Sequence, residues 1–130
     1  MPAENADRAR KAIDAVNERD LDSFLAYMDE DVECVSRIVS MEGPLRGHEG
    51  ARRWWDSWFA VFPDYQIEIV AIEDQGPILL SSIRAVGHGA ESSLPVEDVI
   101  WHVSQWRDGK CVWWQVFTDR DEAAEAASAR

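Results

Sequence analysis

The 130-residue sequence contains no run of about eighteen apolar residues, so it offers no membrane-spanning helix. Its opening stretch, MPAENADRARKA, lacks the apolar segment of a secretion signal, which sets the expectation of a cytoplasmic protein. Only two cysteines occur, Cys34 and Cys111, both inside strand-like stretches. Without an export signal they read as reduced core residues rather than a bridge. Basic residues are scarce: 13 Lys and Arg stand against 25 Asp and Glu, for a formal net charge of −12. With no basic cluster beyond Arg52–Arg53, that balance argues against nucleic acid and against anionic membrane surfaces as partners. The three histidines, His48, His88 and His102, show no ligand spacing, so no metal is expected. A glycine-rich phosphate loop and a serine nucleophile elbow are also missing.

What the chain has in excess is tryptophan. Trp54, Trp55 and Trp58 form one group, and Trp101, Trp106, Trp113 and Trp114 form another. Rings of this size bury much area, so they suit a core, a subunit interface or the walls of a pocket. The length supports one domain with a real core and is too short for two. Ala6, Ala9, Ile13 and Val16 make an apolar stripe over residues 4–18. Asp20 then caps a second helix whose Leu21, Phe24, Leu25 and Met28 share a face. VECVSRIV reads as a strand, EGPLRG as a loop, and HEGARRWWDSWFAVF as a third helix that ends before Pro63. YQIEIVAIED, ILLSSIRAVGH, the strand around Trp101 and KCVWWQVFT follow as long strands, and Asp119 with Glu122 caps a closing helix, RDEAAEAASA.

The stretch DVIWHVSQWRDGK sorts its residues at a period of two. Val99, Trp101 and Val103 take one face; Asp98, Ile100, His102, Ser104 and Trp106 take the other, a mixture of polar and apolar groups. Arg107-Asp108-Gly109 suits a three-residue loop with a glycine bulge, which sets His102 opposite Trp114; a two-residue loop sets it opposite Gln115. In the preceding hairpin, Arg84 opposite His102 would gather Ser82, Arg84, His88, Asp98, His102, Ser104 and Trp114 on one face.

Two short helices, a strand, GPLRGHEGARRWW and four long strands with WRDGK in the last hairpin resemble the NTF2-like superfamily. Within it the chain is similar to the SnoaL-like and ketosteroid-isomerase-like branch, along nearly its whole length. The resemblance implies a single α+β domain over residues 1–130. A strongly curved, mixed or antiparallel sheet would form a cone around the N-terminal helices, with a short C-terminal helix. The cone interior would hold a ligand pocket, and the outer sheet face, carrying Trp101, Trp113 and Phe117, would form a homodimer. Steroid isomerases of that branch use a carboxylate base with a tyrosine and a protonated aspartic acid. Those places fall near Ser36, near Ala12 and at His102, so steroid isomerisation by that mechanism is not expected.

The candidate catalytic residues are His102 as acid or base, Arg84 as anion stabiliser and Asp98 near the rim. Trp114, Trp54, Trp58, Tyr27, Ser36, His88 and Ser104 are the candidate substrate contacts. Asp98 and His102 are four residues apart on one strand, about 13 Å, and cannot form a dyad; His88 and Asp98 are the candidate pair. The resemblance then implies an enzyme that needs no cofactor and moves protons on a small, mostly apolar carbonyl compound, as an isomerase, cyclase or hydratase. A dimeric, non-catalytic binding domain for a hydrophobic metabolite is the alternative, and a transport-factor-type interaction domain a third.

Overall fold

The computed structural model describes residues 2–35, 45–88 and 95–130. Helix α1 spans Pro2–Glu18 and buries Ala9, Ala12, Ala15 and Val16, residues recurring at helical spacing. It stops at Arg19, which adopts a left-handed φ of 62°. The Arg19 guanidinium then donates to the carbonyls of Pro63 (3.0 Å) and Tyr65 (2.7 Å), tying the helix end to the start of the sheet. Asp20 caps helix α2, Leu21–Ala26, by accepting from the Ser23 backbone N–H at 3.1 Å. Met28, expected on the face of this helix, instead opens strand β1, Met28–Val35, where it pairs with Cys111. The strand claims it because Tyr27 ends the helix and its carbonyl accepts the Cys111 N–H at 2.8 Å.

Strand β2 (Leu45–Arg46) leads directly into helix α3 (Gly47–Val61). Gly47 sits at φ 70°, a conformation that disfavours other residues. Gly50 serves packing: a Cβ there would lie 2.8 Å from the Leu45 carbonyl carbon. The helix thus presses its backbone against β2 and buries Ala51, Trp54 and Trp55, while Val61 stays exposed.

Strands β3 (Gln66–Gln75), β4 (Ile78–His88), β5 (Pro95–Arg107) and β6 (Lys110–Phe117) complete a curved, unclosed sheet of order β2-β1-β6-β5-β4-β3. β1 and β6 run parallel, and the other neighbours are antiparallel. At the β3 edge, the Asn17 side chain accepts from Ile67 N–H (2.9 Å) and donates to its carbonyl (2.7 Å), as a neighbouring strand would.

Two registers differ from expectation. Arg107 pairs with Lys110 across a two-residue turn in which Asp108 (φ 53°) and Gly109 (φ 80°) are both left-handed. An Asp-Gly pair suits this turn because its twist matches that of the strands. A bulge at Val112 then shifts the ladder by one more residue, so His102 faces Val116 and Ser104 faces Trp114. In the other hairpin, His102 pairs with Ser81 rather than Arg84, which lies opposite Val99. That is a shift of three positions, and an odd shift moves every β4 side chain to the opposite face.

Helix α4, Arg120–Ala129, capped by Asp119 on the Glu122 N–H, packs Ala123 and Ala127 on the outer face over Ile78, Leu80, Val103 and Trp113. Trp113, expected in a subunit interface, is therefore buried within its own chain, with the Arg130 guanidinium 3.8 Å from its ring centroid. Trp101 and Phe117 flank this cluster and remain partly exposed.

Gly50→Ala is expected to lower stability by about 1–2 kcal/mol, since overpacking against Leu45 outweighs the ~1 kcal/mol of helix propensity gained. A urea unfolding midpoint equal to or above that of the wild type would contradict this close approach.

Candidate functional site

The inner face of the sheet and the helices laid across it line a half-open cavity of about 60 Å³. β5 supplies His102, Ser104 and Trp106; β4 supplies Ser81 and Ile83; β6 supplies Cys111 and Trp114. Ala12 and Val16 of α1, Phe24 of α2 and Trp54 of α3 close the other side. Three of these rings lock together: Trp54 meets Trp114 edge-on at 4.9 Å, and Phe24 lies 5.7 Å from Trp54 and 5.9 Å from Trp114. The cavity is half open and its volume is well below the ~150 Å³ void that takes up benzene, so it encloses a small group while the remainder of a ring-sized molecule lies toward its open side.

Among the described residues, no Asp, Glu, Lys or Arg lines this cavity. His102 keeps some accessible surface because it borders the void, yet protein surrounds it, and burial pushes its pKa down to about 4. Its imidazole is neutral at pH 7, one nitrogen a donor and the other an acceptor. Neither nitrogen hydrogen-bonds a described residue. Ser104 Oγ accepts from Trp106 Nε1–H at 2.9 Å, a buried contact within one strand face. Trp114 Nε1 is buried with no acceptor among the described residues. Both cysteines are free and buried; burial raises the Cys34 thiol to about 12 and the Cys111 thiol further, so neither is a thiolate at neutral pH.

Of the residues singled out from sequence, His102, Ser104, Trp54 and Trp114 meet at the cavity. Arg84 does not: it projects from the outer face, where Glu97 (2.8 Å) and Glu68 (3.7 Å) hold it. Asp98 lies on the His102 side of β5, half-buried opposite Ala85, and is not part of the cavity lining. His88 pairs with Pro95 in the ladder, and its partner is Asp64 (Nδ1 to Oδ2, 2.6 Å) rather than Asp98. Trp58 packs on Phe62 (5.2 Å) and Tyr65 (5.0 Å), away from the lining. Tyr27 closes α2 and packs on the core without reaching the cavity. Ser36 lies outside the described residues. His48, in the first turn of α3, hydrogen-bonds the Met28 carbonyl at 2.9 Å.

Three hydroxyl-bearing or aromatic lining residues escaped the sequence reading. Ser81 was assigned to the opposite face by the β4 register, and Phe24 was read only as helix core. Trp106 was placed on the correct face without a role, although Ser-x-Trp on one strand is itself a signal, since residues i and i+2 are same-face neighbours.

A family model described as the SnoaL-like domain matches residues 9–114. No curated protein matches the sequence. Among solved structures, TerC co-crystallised with polyporic acid superposes with a TM-score of 0.80 at 18% identity, covering 96% of this chain and 98% of that one. A proposed SnoaL-like polyketide cyclase from Jannaschia sp. CCS1 gives 0.80 at 17% identity, over 98% and 94%. IdmH, a proposed polyketide cyclase from Streptomyces antibioticus, gives 0.77 at 21% identity, over 97% and 99%. At these identities the structural likeness is one of fold, an NTF2-like α+β sheet and helix arrangement, and the family match covers most of the chain. With its curved sheet closed on one side by α1, α2 and α3 around an inner cavity, this chain belongs to the SnoaL-like domain family.

Proposed function

We propose that the cavity performs cofactor-independent proton transfer on a small, mostly apolar carbonyl compound, of the isomerase or cyclase type. The observation that carries this reading is His102. It is the one imidazole bordering an otherwise apolar and hydroxyl-lined space, and no described residue engages its nitrogens. In the reaction, the neutral nitrogen takes a proton from the carbon next to the carbonyl. The enolate oxygen that develops is stabilised by hydrogen bonding from Ser104, and the imidazolium returns the proton at carbon or oxygen. Arg84 has no part, because its side chain belongs to the outer face. The fold relatives with proposed cyclase activity support the same class of chemistry.

A non-catalytic binding domain for a hydrophobic metabolite is the second reading. Two features favour it: no carboxylate among the described residues lines the cavity, and burial makes His102 a weak base.

Exchange of the α-protons of a small cyclic ketone into D₂O, followed by NMR, separates the two. The wild type is expected to exceed buffer, and His102→Gln to fall on the order of 10²-fold. Exchange should be level above about pH 5 and decline as pH drops through 4, where His102 becomes charged. Binding without exchange at any pH selects the second reading, and full exchange by His102→Gln removes His102 from the chemistry.

The same burial predicts an acid-sensitive fold. His102 binds a proton near 6.5 when unfolded but only at about 4 when folded, so the unfolded state gains protons first as pH falls. Stability attributable to this group is complete above 6.5 and declines from there to pH 4, by roughly 3 kcal/mol at ~1.4 kcal/mol per unit. His102→Gln should flatten that part of the stability–pH curve in urea titrations; an unchanged slope would refute the assignment.

A further inference from the structure

We infer that the cavity selects an uncharged ligand, engaging its carbonyl or similar acceptor through a Ser104 hydroxyl that Trp106 holds in the donor orientation. This rests on the reading that the inner cavity is the ligand site. It adds a positioning residue and a charge class that the proton-transfer proposal does not contain.

The orientation follows from hydrogen-bond inventory. An indole N–H donates and never accepts, so the 2.9 Å contact obliges Ser104 Oγ to accept from Trp106. Ser104 is 9% exposed and Trp106 4%, so water does not compete freely for this bond. The hydroxyl proton must then point away from the indole, and no described residue accepts it. Ser104 borders the cavity, which leaves the void as the place for its acceptor. A second donor with no acceptor among the described residues, Nε1 of Trp114, belongs to a ring of the same wall that is 7% exposed. A buried donor without a partner is costly, and two beside one void point to an occupant that accepts.

The charge class follows from the lining. A carboxylate or an ammonium ion entering the cavity would lose hydration and meet no opposite charge among the described residues, none of whose acidic or basic chains reaches the wall. His102, neutral at pH 7, does not supply one. A ketone loses far less on entry and recovers a hydrogen bond from Ser104.

Cyclopentanone, methylenecyclopentane, cyclopentanecarboxylate and cyclopentylammonium, matched in ring size, test both parts in NMR titrations of the full chain at pH 7. Cyclopentanone is expected to bind at least tenfold more tightly than either ion, and several-fold more tightly than the hydrocarbon. Ser104→Ala should erase the ketone-over-hydrocarbon preference while leaving hydrocarbon binding intact. Trp106→Phe, which keeps a ring but removes the N–H, should reduce the preference several-fold. Ser104→Thr, which retains the hydroxyl, should restore it, so loss of folding cannot imitate the result. Ionic probes binding as well as the ketone would overturn the charge class. An unchanged preference in Ser104→Ala or Trp106→Phe would overturn the Trp106–Ser104 device. No saturable response to any probe would overturn the inference as a whole. Ketone binding without proton exchange would instead refute the proposed reaction and leave this selectivity standing.

Discussion

The parity of strand faces around the β5–β6 hairpin underlies the rest of the structure. His102, Ser104 and Trp106 reach the interior only if the partner strand presents Trp114 and Cys111 on the same side. A two-residue turn alone would have inverted this relation. The bulge at Val112 adds one residue to β6 and restores it beyond the bulge. The pleat already sends the adjacent rings to opposite faces, and the bulge decides which goes where, with Trp113 outward under α4 and Trp114 inward against Trp54 and Phe24. One inserted residue thus assigns one ring to the core beneath α4 and the other to the wall of the cavity.

That division sets the electrostatics of the interior. The helices cover the inner face with alanine, valine and aromatic side chains, and no acidic chain among the described residues lines the cavity. An imidazole in such surroundings cannot hold a proton at neutral pH, because no anion repays the loss of hydration. The polar groups that remain inside are neutral hydroxyls, an imidazole and indole N–H groups. Their hydrogen bonds are directional, and in an apolar medium direction carries most of the selectivity. Arg84, surrounded on the outer face by Glu68 and Glu97, illustrates the opposite environment, in which a charge is balanced and solvated.

Much of the architecture was legible from local pattern. The bounds of β4 and α4, the Asp20 and Asp119 caps and the inward face of β5 all follow from periodicity, turn residues and side-chain chemistry within a few positions. The places of Arg84, His88 and Asp98 were not legible in that way, since each depends on how far one strand slides along another. Residues 89–94 lie between β4 and β5, and a connection of that length leaves the register to be chosen by burial. Leu79, Ile83 and Ala85 are buried on the inner face while Arg84 and His88 stay exposed, and that placement favours the observed pairing. Trp58 and Tyr27 were misplaced for a related reason: helical spacing identifies an apolar face but not which neighbour it meets.

The sequence by itself determined the family, the order of the helices and long strands and the presence of an imidazole and a hydroxyl on one face of β5, because these depend on spacing and composition along the chain. Only the tertiary structure decided that His102 stands opposite Ser81, that Trp106 donates to Ser104 and that α4 covers Trp113. Those relations join distant or oppositely directed segments. They are settled by the competition among registers for buried apolar surface, a sum over the whole fold that no local window contains.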